Sequence, residues 1–282
     1  IPSGKTLTVP ENTTLTVNRG VTLTNNGKII NNGKITNKGT ITGSGTVEGN
    51  EPFLPPPPVS YRICDENGQN WKTEECSDYT VMESGTTAWS NGWYVVNSTV
   101  TINDRITVTG NVHLILADGA SLTANGGINV AEGNSFSVYA QSVEKNMGTL
   151  TATGGGHGAG IGGRNGDKNG SSCGNITIHG GSVAATGGDE AAGIGGGVFG
   201  SGGNITINGG NVTATSGNEA AGIGGGQGNS GGNITINGGT VTATSVTPLG
   251  AGIGGGAHGS GGNITINDGN VTATSAAFAA GI

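Results

Sequence analysis

One alternation of apolar and polar positions returns four times along the chain. GGNITINGGNVTATS from Gly202, GGNITINGGTVTATS from Gly231 and GGNITINDGNVTATS from Gly261 are near copies, and GNITIHGGSVAAT from Gly174 is a weaker one. Ile, Val and Ala alternate in them with Thr and Asn, the period of a strand with one buried face. Asn175, Asn204, Asn233 and Asn263 open the NITI words at steps of 29, 29 and 30 residues, and the Ile of AGIGG recurs at Ile161, Ile194, Ile223, Ile253 and Ile282. Each repeat therefore holds three short strand words, AGIGGG, NITI and NVTAT, separated by Gly-rich corners. Three strands per repeat of about 29–30 residues fit one turn of a three-sided parallel β-solenoid with strands stacked about 4.8 Å apart. In this register Ile205, Ile207, Val212 and Ala214 point inward, with Ile234, Ile236, Val241 and Ala243 stacked on them. The expected fold class is all-β, a right-handed parallel β-helix, the hand following the usual crossover rule.

The pattern loosens upstream. Residues 95–154 read as irregular coils and 155–282 as regular ones, whereas residues 1–48 follow a different beat. Gly27, Gly33, Gly39 and Gly45 are six residues apart, as are Leu23, Ile29, Ile35, Ile41 and Val47. This predicts a small separate N-terminal hexad-repeat solenoid with about three hexads per coil. Residues 49–60, GNEPFLPPPPVS, read as a proline-rich linker or a strap lying on the next module. Residues 61–94 hold every Trp (Trp71, Trp89, Trp93) together with Tyr61, Tyr79 and Tyr94. A solenoid end exposes core and unpaired edges, so this segment is expected to supply an aromatic cap. Its alternative is an aromatic platform for a sugar ring, built from Trp71, Trp89, Trp93 and Tyr94.

Composition agrees with a thin core. Gly makes 60 of 282 residues, while aromatics are 4% and charged residues 10%. Columns of Ile, Val and Ala need few large side chains. A net charge of −7 offers nothing to a phosphate backbone, so no nucleic-acid partner is expected. No apolar run approaches the ~20 residues that span a bilayer, and no membrane insertion is expected. The N-x-T triplets at Asn175, Asn204, Asn211, Asn233, Asn263 and Asn270 would crowd glycans onto adjacent coils, which favours a chain never exposed to a eukaryotic glycosylation path. Stacked Asn amides joining coil to coil are the simpler role.

The run GWYVVNSTVTINDRITVTGNVHLILADGASLTANGGINVAEGNSFSVYAQS, followed by AGIGGG and GGNITINGGTVTA words, resembles repeat-bearing β-helical, adhesin-like cell-surface proteins of gut Firmicutes. The likeness covers residues 92–282 well and the hexads less specifically. It implies an exported β-helical region of a larger wall-attached chain, at the bacterial cell surface, and supplies no reaction. In an exported protein Cys64 and Cys76, twelve positions apart, are expected to close a loop as a disulfide, leaving Cys173 as a buried or partly buried free thiol.

Candidate chemistry is sparse. Carboxylates of the regular coils are Asp189, Glu190, Glu219 and Asp268; the first three fall in the loop before AGIGGG words, where they can be neighbours, and they are expected to keep the surface soluble. His113, His157, His179 and His258 show no metal-ligand spacing, His157 and His258 alone forming a loop pair. No catalytic residue, metal or cofactor is therefore expected. The remaining binding candidate is an outward array of Thr151, Thr153, Thr213, Thr215, Thr242, Thr244, Thr272 and Thr274. A second is the glycine flank of the AGIGGG strand, as a shallow groove of bare backbone. The reading is a non-catalytic extracellular structural or adhesive region. Alternatives are a carbohydrate-binding β-helix for host or plant polysaccharide, a binder of host protein such as immunoglobulin, and, remotely, an ice-binding threonine array. Partners are then a host glycan or host protein. The sequence stops inside a repeat at Ile282, which predicts further coils beyond it and a monomer or weak end-to-end self-association.

Overall fold

A computed structural model describes residues 1–18, 21–37, 39–50, 57–143, 146–164 and 172–282. Two compact units divide the chain, Ile1–Pro58 and Val59–Ile282. All assigned elements of the described residues are strands. Residues 51–56, half of the linker expected over residues 49–60, fall outside the described residues.

The first unit is built from strands of three or four residues: β1 (Thr6–Val9), β2 (Thr14–Val17), β3 (Thr22–Thr24), β4 (Lys28–Asn31), β5 (Lys34–Asn37), β6 (Thr40–Thr42) and β7 (Thr46–Gly49). They pair in parallel as β1-β4-β7, β2-β5 and β3-β6, so every third strand stacks. That is the hexad solenoid with three hexads to the turn. Val9, Ile29 and Ile35 form its small core, with Leu7, Leu15, Leu23 and Val47 packed beside them. Asn25, Asn31 and Asn37 are buried at its corners. Asn25 and Asn37 accept the amides of Gly27 and Gly39 through Oδ1, at 3.1 Å each. A buried amide satisfied in this way costs little and fixes the corner.

The second unit is a three-sided parallel β-helix. One side, the threonine face, stacks seven strands in the order β12 (Thr99–Ile102), β14 (Ser121–Ala124), β17 (Thr149–Thr153), β20 (Ser182–Thr186), β23 (Asn211–Thr215), β26 (Thr240–Thr244) and β29 (Asn270–Thr274). The second, the asparagine face, runs from β16 (Ser135–Ala140) through β19 (Asn175–Ile178), β22 (Asn204–Ile207) and β25 (Asn233–Ile236) to β28 (Asn263–Ile266). The third, the glycine face, stacks the two-residue strands β15 (Ile128–Asn129), β18 (Ile161–Gly162), β21 (Ile194–Gly195), β24 (Ile223–Gly224) and β27 (Ile253–Gly254). In the early coils β10 (Thr80–Val81) pairs with β11 (Ala88–Val96), and β11 and β13 (Ile106–Leu116) each run across the glycine and asparagine sides as one long strand.

Register is kept residue for residue. Ile205 pairs with Ile176 and Ile234, Val212 with Val183 and Val241, and Ile194 with Ile161 and Ile223. Ile205, Ile207, Val212, Ala214, Ile234, Ile236, Val241 and Ala243 are at most 1% exposed, so the inward set is the one the alternation marks. At the far end Ile264 and Val271 are half-buried and Ile266 is 40% exposed, because no coil stacks on β28 and β29.

The segment 59–96 does two jobs. Trp89, Tyr94 and Met82 join the apolar column and close its upper end. Trp89 lies 5.6 Å from Tyr94 and 5.9 Å from Phe136 and donates its indole N–H to Thr86 O at 2.9 Å. The other part, the antiparallel hairpin of β8 (Val59–Ile63) and β9 (Lys72–Cys76), lies on the outer surface as a strap rather than over the end. It covers Val95, Ile115 and Tyr139, which are apolar outward residues of successive early coils. Its turn reaches further along. Cys64 Sγ is 3.6 Å from His179 Nδ1, Trp71 packs on Gly209, and Asn237 donates to Glu66 O at 3.3 Å.

Candidate functional site

The threonine face carries three outward ranks, because side chains alternate across each strand. The middle rank is Thr101, Thr123, Thr151, Ala184, Thr213, Thr242 and Thr272, paired one to the next. A second rank runs Thr153, Thr186, Thr215, Thr244 and Thr274, and the first positions of the strands supply a third of Thr, Ser and Asn. Thr151, Thr153, Thr213, Thr272 and Thr274 are exposed, and Thr215, Thr242 and Thr244 are half-buried between their neighbours. Hydroxyls link coils at both ends of the face, Ser121 to Thr99 and Thr274 to Thr244, each at 3.2 Å. None of the seven strands carries a charged or aromatic residue. The eight threonines singled out from the sequence lie on this one face. The upstream extension through Thr101 and Thr123 comes from the irregular coils, whose spacing hides their register, and the break at Ala184 falls in the weaker copy of the repeat.

On the asparagine face two amide ladders run down the coils. Asn204, Asn233 and Asn263 each donate to the Asn one coil earlier, at 2.8, 2.8 and 2.9 Å, with Asn175 at the head. The second ladder joins Asn267 to Asn237 at 2.7 Å and Asn237 to Asn208 at 2.8 Å, and its head is His179, 3.3 Å from Asn208 Nδ2. Above His179 the same rank continues as Tyr139, stacked on the imidazole at 4.7 Å and 8°. Burial, helped by His113, lowers the His179 pKa to about 4, and burial raises the Cys64 thiol to about 11. Both groups are neutral near pH 7, so their contact is not an activated thiolate–imidazolium pair.

Three expectations are corrected. Cys64 and Cys76 are not joined by a disulfide. Cys76 pairs with Val59 at one end of the β8–β9 ladder, while Cys64 follows Ile63, which pairs with Lys72 at the other. Five residues of strand separate them by roughly 16 Å, far beyond what a disulfide spans. Cys173 is buried, its pKa raised to about 12 by loss of solvent. The aromatic platform also dissolves. Trp93 and Tyr94 are consecutive in β11 and point to opposite sides, and Trp89 and Tyr94 are core. Trp93 lies outside, 4.7 Å from Tyr61 and 4.5 Å from His113, while Trp71 carries the Arg62 guanidinium at 5.1 Å. Lastly, the glycine flank of AGIGGG is no open groove. Gly162, Gly195, Gly224 and Gly254 are buried at φ from +133° to +141°, and a Cβ on Gly195 would sit 2.0 Å from Gly224 O. The backbone of the next coil fills the space.

The sequence marks Asp189 and Glu190 as candidate neighbours, but reading it did not join His157 to them. His157, Asp189 and Glu190 bring their ligand atoms within 4.8 Å of one another, the one such grouping of three among the described residues. His157 pairs in space with Glu190 rather than with His258: its Nδ1 is 3.3 Å from Glu190 Oε2. The signal was present as distance from the coil isoleucine, since His157 and Glu190 each stand four residues before Ile161 and Ile194.

The beta helix repeat family profile matches residues 146–167, 176–198, 205–227, 234–257 and 264–282, five successive windows that follow the stacked coils. Fold and match together define the class: this is a repeat-bearing β-helical protein. Neither the curated proteins nor the solved structures gave a match.

Proposed function

We propose that the chain is a non-catalytic, rigid adhesive region of an extracellular protein at a bacterial cell surface, and that the threonine face is its contact surface. One observation carries this reading. Seven strands hold hydroxyls and methyls in registered outward ranks, without a single charge, on a chain of net charge −7. A flat uncharged array of that kind suits a neutral, hydroxyl-rich polymer better than a charged partner, because hydroxyls can be matched without desolvating an ion. A neutral host or plant polysaccharide is therefore the favoured ligand class, ahead of a host protein.

A glycan array run beside a panel of purified host proteins tests the proposal. Binding to neutral glycans that is lost in the Thr213→Lys, Thr242→Lys double variant supports it. Binding to neither set refutes adhesion and leaves a spacer. Thermal hysteresis without glycan binding would move the same face to ice.

A further inference from the structure

We propose that the stacked loops preceding the coil isoleucines form a binding site for a first-row divalent cation of the zinc class, with His157, Asp189 and Glu190 as ligands. The site arises from register. Ile161, Ile194 and Ile223 stack directly, so the positions four residues earlier, His157, Glu190 and Glu219, form a rank of their own. Leu249 holds that position before Ile253, which ends the polar run. One rank further back Asp189 is followed by Asn218.

The spacing suits a small cation. Two ligands of tetrahedral zinc, each about 2.0–2.2 Å from the metal, lie about 3.4 Å apart. His157 Nδ1 is 3.3 Å from Glu190 Oε2 and 3.2 Å from the Asp189 carbonyl oxygen, so a cation takes the place of the proton held there, and the Asp189 carboxylate completes a triangle with no side above 4.8 Å. The carboxylates are held from outside. Asn218 Nδ2 donates to Asp189 Oδ1 at 2.6 Å, leaving Oδ2 for a metal, and Gln227 Nε2 holds the neighbouring Glu219 carboxylate in place. Such outer partners orient ligands and raise affinity. An imidazole nitrogen beside two carboxylates selects a borderline ion over calcium or magnesium, which prefer oxygen alone. The side chains of His157 and Glu190 are 42% and 31% exposed, so solvent water can take the fourth position. The cation offsets the repulsion of Asp189, Glu190 and Glu219 stacked in adjacent loops. This inference does not depend on the threonine face.

Calorimetric titration of the chelator-treated chain with zinc chloride tests it, with calcium chloride and magnesium chloride as comparators. One zinc per chain is expected. His157→Ala and the isosteric Glu190→Gln should each weaken zinc about tenfold or more, while His179→Asn leaves it unchanged. Absence of saturable zinc binding, equal binding of calcium, or a His157→Ala variant that binds like the parent would overturn the proposal.

Discussion

Replacing Ile205 by Asp places a carboxyl in the middle of the apolar column. The side chain is 1% exposed and stacked between Ile176 and Ile234. Loss of the isoleucine alone costs about 2–5 kcal/mol. The new carboxyl has no polar partner in the column and folds in protonated form. Neutralising it at pH 7 from an unfolded pKa of about 3.9 costs ~4 kcal/mol, at about 1.36 kcal/mol per pH unit. The sum is roughly 7 kcal/mol, comparable with the whole stability of a typical domain. Thr213→Asp, on the next strand of the same coil but on the exposed outer rank between Ala184 and Thr242, should cost about 0.5 kcal/mol or less. The penalty at Ile205 also has a pH signature. A carboxyl with a raised folded pKa destabilises increasingly as pH rises above about 3.9, so the deficit should shrink by ~4 kcal/mol on approaching pH 4. Circular-dichroism melts of both variants at pH 7 and pH 4 measure these differences. Equal shifts for the two, or a larger one for Thr213→Asp, would show that the inward and outward sets are exchanged.

Asn237→Ala removes a buried amide that bonds Asn208, Asn267 and Glu66 O, and should cost about 2–3 kcal/mol in urea melts while loosening the strap, read as faster proteolysis near Glu66. Acid should destabilise the fold through His179: its folded pKa lies below the unfolded value of 6.5, so its contribution is complete above pH 6.5 and is lost as pH falls towards about 4, by about 3 kcal/mol at most. His179→Asn, which continues the amide ladder, should flatten that pH dependence. Thiol titration under denaturing, non-reducing conditions should count three thiols per chain, in keeping with the absence of disulfides; a count of one would restore the Cys64–Cys76 bond.

The coils were legible because one rule wrote them. Ile205 and Val212 alternate with Thr206 and Thr213 in words that return every 29 or 30 residues, and parallel stacking in register turns that alternation directly into columns and faces. The amide ladder from Asn175 followed for the same reason. What stayed hidden depends on packing between segments without a shared period. Nothing in the spacing of Cys64 and Cys76 says that an antiparallel hairpin holds them at opposite ends. Nothing local says that Trp71 packs beside Gly209 while Trp89 enters the core. The glycine flank misled because a missing Cβ was equated with open space, whereas positive φ brings the next coil's carbonyl into that volume. The His157 cluster was overlooked because His157 was matched with His258, which follows its coil isoleucine, whereas counting from either flanking strand word aligns His157 with Glu190.

Binding of a neutral polysaccharide to immobilised chain, compared between two surface variants, tests the central claim most directly. Thr213→Lys with Thr242→Lys charges the threonine face, and Thr206→Lys with Thr235→Lys charges the asparagine face at matching coils. The account predicts that the first pair abolishes binding and the second leaves it within about twofold, both variants melting like the parent because all four positions point outward. Loss of binding only in the asparagine-face variant, or equal loss in both, would contradict it.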